Sequence, residues 1–375
     1  MNRIASLDGI RAVSILMVLL AHAQLSFPHF IAYHPAYDYI ANSRLGVKIF
    51  FVISGYLITR LLMTEFAKTG QVSLKQFYIR RIFRIFPVFY LYILVVLLLK
   101  WYVVPDIFTN YSQVGVAALY LWNYKHLLIQ NIPTDKGNWF FGHFWSLSME
   151  EQFYLLWPIS FIKLSRRTLI ISTGLIIALM PFVRLATYQW MPSSRGQVSM
   201  MLQTGGDAVL IGCLGALLEK QLLSKQILKS KVVIILAALF IFVIDLYCSH
   251  RFGGKYSLTI GMSLTNVCIL ILLFWCIYVP SFVSRLLNSK LMIHIGILSY
   301  SLYIWQQLFL SHTTHAWVNK FPQNLVLVMV VAHISYYLIE KPTMSLRHYF
   351  SKKQVLTAPE APLTAIPLTE TKLPS

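Results

Sequence analysis

Apolar runs too long and too numerous for one soluble core constrain this chain more than any other feature. "YLYILVVLLLKWYVV", "LIISTGLIIALM" and "VVIILAALFIFVI" are three of them. Only 12% of the 375 residues are charged and 57% are hydrophobic, where a soluble domain carries about 25% charged residues. A bilayer accommodates such segments and water does not. The reading is all-α: a polytopic membrane helical bundle of about ten transmembrane helices. They fall near 8–27, 46–64, 85–104, 147–163, 168–187, 205–219, 232–250, 258–279, 293–312 and 323–340. Residues 1–350 then form one membrane domain. The run "LTAPEAPLTAIPLTETKLPS" within 351–375 is rich in Pro and Thr and lacks helical periodicity, so a disordered cytoplasmic tail is expected there.

The net charge of +19 does not point to nucleic acid, because the basic residues sit in short loops between apolar runs. With both termini cytoplasmic, most of the 32 Lys and Arg residues face the cytosol, as the positive-inside rule requires. Segment 111–130 breaks that pattern if it crosses, so a re-entrant or interfacial helix on the outer face is expected. The start, "MNRIASLDGIRAVSILMVLLAHA", has the basic, apolar and small-residue order of a secretory leader. Asp8 and Arg11 crowd its apolar stretch, and many spans follow, so it is expected to serve as the first span. Cys213, Cys248, Cys268 and Cys276 lie in or near apolar segments without close ligand pairs; packing roles and no metal site are expected.

An ionisable group at a helix centre in a membrane costs about 2.5–3.5 kcal/mol, so such groups are the best pointers to function. In "RAVSILMVLLAH", Arg11 and His22 share a helix face about 16 Å apart along the axis. Arg11 also stands three residues after Asp8, a spacing that suits an ion pair. In "QFYIRRIFRIFPVFY", Arg81 and Arg84 share a face, and forked guanidinium groups so placed suit phosphate; a positive-inside anchor is the plainer reading. In "FGHFWSLSMEEQFYLLWP", Ser148 and Glu151 fit a capping box, which leaves Glu150 for chemistry at a depth His22 reaches. In "GILSYSLYIWQQLF", Ser299, Tyr303 and Gln306 form a polar stripe, either lining a path or bonding a neighbouring helix. "FFVISGYLITR" adds a Ser54-Gly55 pair small enough for close helix approach.

Together these stretches resemble the acyltransferase-3 family of membrane O-acyltransferases. The resemblance rests on "LDGIRAVSILMVLLAH", "LGVKIFFVISGYLITRLL", "FYIRRIFRIFP", "FWSLSMEEQFYLLWP", "GDAVLIGCLGALL", "SYSLYIWQQ" and "YYLIEKP", in that order over about residues 5 to 345. It implies a ten-span bundle, in a bacterial plasma (inner) membrane, that moves an acyl group, often acetyl, from cytoplasmic acyl-coenzyme A to a hydroxyl. The acceptor it implies is a surface or exported glycan. No permanently bound cofactor is implied, and membrane lipid, acyl-coenzyme A and a carbohydrate acceptor are the expected partners. The R-x10-H pair carries over to Arg11 and His22, with His22 catalytic. The R-x-x-R pair carries over to Arg81 and Arg84 on the coenzyme A side. Glu150 carries over as the motif acid, positioned to orient the His22 ring or stabilise its imidazolium. Two positions depart from the pattern. Lys48 stands where many members have an acid, and Gln306 where many have histidine. Nothing like the C-terminal hydrolase-like domain fused to some members is found in these residues. A transporter or flippase of a small polar or lipid-linked sugar substrate is the alternative, since intramembrane His, Arg and Glu also suit a proton relay.

Overall fold

The computed structural model describes residues 4–129, 135–224, 230–311 and 316–346. The expected tail at 351–375 lies outside the described residues, as do 347–350 at the end of the expected membrane domain. Among the described residues every regular element is helical. With no water in the hydrocarbon to satisfy them, backbone N–H and C=O groups must pair within each segment, which the helix achieves.

The principal helices are α1 (Ala5–Ala23), α2 (Ser43–Thr69), α3 (Leu74–Tyr102), α4 (Phe144–Lys163), α5 (Arg166–Trp190) and α6 (Asp207–Leu217). They continue with α7 (Lys231–Phe252), α8 (Gly254–Tyr278), α9 (Lys290–Ile297), α10 (Ser299–Phe309) and α11 (Gln323–Leu346). Seven of these, α1, α2, α3, α5, α7, α8 and α11, are long and apolar enough to cross a membrane. The chain is an integral, multi-pass membrane protein. The other three segments expected to span fall on α4, which bears two adjacent acids, on the 11-residue α6 and on the α9–α10 pair, which is interrupted at Leu298. Segment 111–130 contains only short pieces, Ser112–Ala118, Trp122–Tyr124 and Lys125–Leu128. None of these is long enough to span a bilayer.

Local signals set the helix ends. The Asn42 side chain accepts from the Leu45 N–H at 2.9 Å and opens α2. Gly70, at φ 70°, closes the same helix in the left-handed conformation. Ser73 caps α3, and Ser165 caps α5.

Two close backbone crossings hold the centre. A Cβ on Gly55 of α2 would run into the Val209 carbonyl oxygen of α6, and one on Gly212 into the Val52 carbonyl. The small residue expected at Ser54-Gly55 therefore sits where two helices meet, as tight packing in a bilayer demands. Likewise Gly296 of α9 lies against the Asp8 carbonyl of α1. Gly46 of α2 lies against the Ser14 carbonyl on α1, so the first helix is wedged between α2 and α9. Behind it, Arg184 of α5 and Asp207 of α6 form an ion pair with no exposed side-chain surface. Ser263 of α8 bridges them, accepting from Arg184 at 3.0 Å and donating to Asp207 at 2.7 Å. The sequence reading did not single out this pair.

Candidate active site

Two cavities lie one above the other along α1. The first, about 100 Å³, is lined by Arg11, Arg81, Arg84, Glu150, Tyr154 and Ser54, with Ser299 and Tyr300 on the opposite wall. The second, about 330 Å³, is lined by His22, Arg44, Lys125, His143 and three tryptophans. Val47 and Tyr303 line both. Helix register explains the stacking. Eleven residues separate Arg11 from His22 on α1, and eleven separate Ser43 from Ser54 on the antiparallel α2. Each interval is about 16 Å of helix.

In the arginine cavity, Arg11 approaches Asp8 at 3.7 Å, the expected i,i+3 pair. The Arg81 guanidinium lies over the Tyr154 ring, 3.5 Å from its centre, a cation–π contact. The Tyr154 hydroxyl and the Ser54 hydroxyl both donate to the Glu150 carboxylate. Arg80 is turned away and bonded to Glu65 at 2.7 Å. Of the three basic residues of "YIRRIFR", only Arg81 and Arg84 line this cavity.

In the histidine cavity, His22 Nδ1 meets Gln306 Oε1 at 3.1 Å. The Gln306 amide nitrogen donates to the Tyr303 carbonyl at 3.2 Å, which fixes the amide's orientation and turns its oxygen to the imidazole. An amide oxygen only accepts, so Nδ1 carries the proton, and in the neutral ring Nε2 carries the lone pair. The Trp139 ring stands edge-on to His22 at 5.6 Å, its indole N–H donating to the Gln307 carbonyl at 2.8 Å. Tyr303, in the wall between the cavities, is tied by its hydroxyl to Ser146 at 2.5 Å and donates to the His143 carbonyl at 3.1 Å.

Three expectations change. Glu150 is not the partner of His22. The helix was expected to open at Ser148, but it opens at Phe144, so Glu150 lies six residues inside it rather than two, about 6 Å deeper than expected, at the level of the arginines. Gln306 holds the ring instead. For the same reason Ser148 and Glu151 form no capping box; the Ser148 hydroxyl accepts from the Trp122 N–H at 3.3 Å, and Glu151 lines neither of the two cavities. The polar stripe divides: Ser299 and Tyr303 line cavities, while Gln306 is buried against His22. Lys125, Arg44 and His143 were not singled out. His143 sits in the quoted "FGHFWS" run, one residue before α4, and Lys125 in the segment expected to lie on the outer face.

An acyltransferase domain family matches residues 4–340. The chain belongs to the acyltransferase-3 family. It is 27% identical to the O-acetyltransferase OatA of Staphylococcus aureus over 353 residues, covering 90% of this chain and 56% of that protein. It is also 27% identical to the peptidoglycan O-acetyltransferase OatA of Listeria monocytogenes over 365 residues, covering 90% of this chain and 55% of that one. The chain thus spans just over half the length of these relatives. No solved structure matches it significantly.

Proposed function

We propose that this protein is a membrane O-acetyltransferase that takes an acetyl group from cytoplasmic acyl-coenzyme A and places it on a glycan hydroxyl at the outer face of a bacterial plasma membrane. The observation that carries this reading is the stacked pair of cavities, one lined by arginines and one holding His22, meeting at Val47 and Tyr303. Ten passes with both termini cytoplasmic put the arginine cavity toward the cytosol. Arg81 and Arg84 then meet the donor's phosphates with forked, charge-assisted hydrogen bonds. The pantetheine arm carries the thioester to the wall between the cavities.

In the larger cavity the acceptor hydroxyl gives its proton to His22 Nε2 as its oxygen attacks the thioester carbon. The new C–O ester bond forms, the C–S bond breaks, and the departing thiolate takes the proton back from the imidazolium. Gln306 acts as a positioning residue, holding the tautomer that leaves Nε2 unprotonated. The names of the relatives direct attention to peptidoglycan as one acceptor to test. The experiment is proteoliposomes loaded with radiolabelled acetyl-coenzyme A and bathed in oligosaccharide. Label on the oligosaccharide, abolished in His22→Ala, is the expected result. A vesicle that passes no label to any glycan, with correctly inserted protein, would sink the proposal.

A further inference from the structure

The cavity that holds His22 also carries two cations that the acyl-transfer chemistry does not use. Arg44 stands at the mouth of α2, and Lys125 stands on the short helix Lys125–Leu128. No Asp or Glu lines this cavity, and among the described residues neither cation is in an ion pair. The Lys125 ammonium donates to the Asn138 side-chain oxygen at 2.6 Å and lies 4.8 Å from the centre of the Trp122 ring. Burial holds it below the usual lysine range, with Asp135 pulling weakly the other way. A half-buried cation whose direct contacts are a neutral amide and a ring is stabilised by an anion that enters beside it. Around it Trp122, Trp139 and Trp145 line the same space. Indole faces are flat, apolar and electron-rich, and suit the C–H faces of a pyranose ring.

Building on the acetyl-transfer reading, we propose that the acceptor is an anionic saccharide, its carboxylate or phosphate held by Arg44 and Lys125 and its ring lying on the tryptophans, with a hydroxyl presented to His22. Charge selection here explains how one hydroxyl among many is chosen, because anchoring the anion fixes the ring's position before the base acts. The cavity of about 330 Å³ admits one or two sugar units, near the lower end of ordinary ligand sites.

The test is equilibrium binding to the full-length protein in detergent, which does not depend on transfer. The probes are an N-acetylglucosamine–N-acetylmuramic acid disaccharide, its carboxyl-reduced counterpart, and N-acetylglucosamine 1-phosphate. The acidic disaccharide is expected to bind about tenfold tighter than the reduced one, with the gap narrowing as salt rises. The sugar phosphate tells carboxylate from phosphate preference. Arg44→Gln and Lys125→Gln should each bring the acidic ligand to the level of the neutral one; glutamine at 125 can still donate to Asn138, so the local fold is kept. Equal affinity for acidic, phosphorylated and neutral sugars in the wild type overturns the proposal, as does a gap that survives both substitutions. Acid-selective binding with no acetyl transfer supports the anion site and counts against the transferase reading instead.

Discussion

Replacing Gln306 by Leu isolates the bond that orients His22. Leucine fills much the same space, so the buried face of α10 stays packed, and only the amide is lost. Two hydrogen bonds go with it, the 3.1 Å contact to His22 and the 3.2 Å contact to the Tyr303 carbonyl. That carbonyl lies inside α10 and keeps its place in the helical ladder, so the loss falls on the imidazole. A neutral hydrogen bond contributes about 0.5–1.5 kcal/mol net. At about 1.36 kcal/mol per decade of rate, that is roughly a 2- to 13-fold fall in kcat. His22→Ala removes the base itself, worth about 10²–10⁴. Gln306 lines neither of the two cavities, so the KM for each substrate should hold. The assay is steady-state acetyl transfer in proteoliposomes with donor and acceptor both varied, on each single variant and on the double. A residue that acts only through His22 adds nothing once His22 is gone, so the double should match His22→Ala. The reasoning is refuted if Gln306→Leu alone loses as much as His22→Ala, or if the double falls further by the single variant's factor.

Glu150→Gln should raise the KM for acyl-coenzyme A by about tenfold by loosening Tyr154 beneath Arg81, while Glu151→Gln stays near wild type; equal losses in the two variants contradict this. The double variant Arg81→Lys/Arg84→Lys keeps charge but loses the fork, and should raise donor KM with acceptor KM unchanged; an unaltered donor dependence counts against a phosphate role. Arg184→Ala strands a buried carboxylate, a loss of about 3–5 kcal/mol, visible as a lower melting temperature or folded yield in detergent. Arg184→Met/Asp207→Leu should recover most of it, and a single variant as stable as wild type refutes the ledger. Val47→Trp should close the wall between the cavities, leaving donor and acceptor binding intact and abolishing transfer; normal transfer excludes that wall as the route.

The membrane class and most helix positions were legible because apolar length is a one-dimensional property. α1, α2, α3, α5, α7, α8 and α11 announce themselves by composition alone. Helices α6 and α10 are short and walled in by other helices rather than by lipid; Asp207 and Gln306 have no exposed surface. Helix α4 keeps an exposed apolar face at Leu155, Leu156 and Ile162 and is set apart by its two adjacent acids. The Gly55–Gly212 crossing was half legible. A small residue marks a close approach, but which helix approaches is fixed only by tertiary packing.

Several residues lining the two cavities were legible in the sequence, but the pairing of Glu150 with His22 was misread. Periodicity places Arg11 and His22 on one face correctly, because one helix carries both. Glu150 sits on another helix, so its depth depends on where that helix begins. Moving the start from Ser148 to Phe144 carries the carboxylate about 6 Å further along the axis, from the level of His22 to that of the arginines. This changes what the acid can do. Beside His22 it would stabilise an imidazolium; among Arg11, Arg81 and Arg84 it shares the space that the proposed function gives to the donor. A carboxylate there would repel the donor if it stood free. It does not: it accepts from Ser54 and Tyr154, and Tyr154 lies directly beneath Arg81. Its charge is thus spent on fixing the ring that holds the guanidinium. That is why substitution of Glu150 should register in donor affinity, while the neutral Gln306 takes over the orientation of the base.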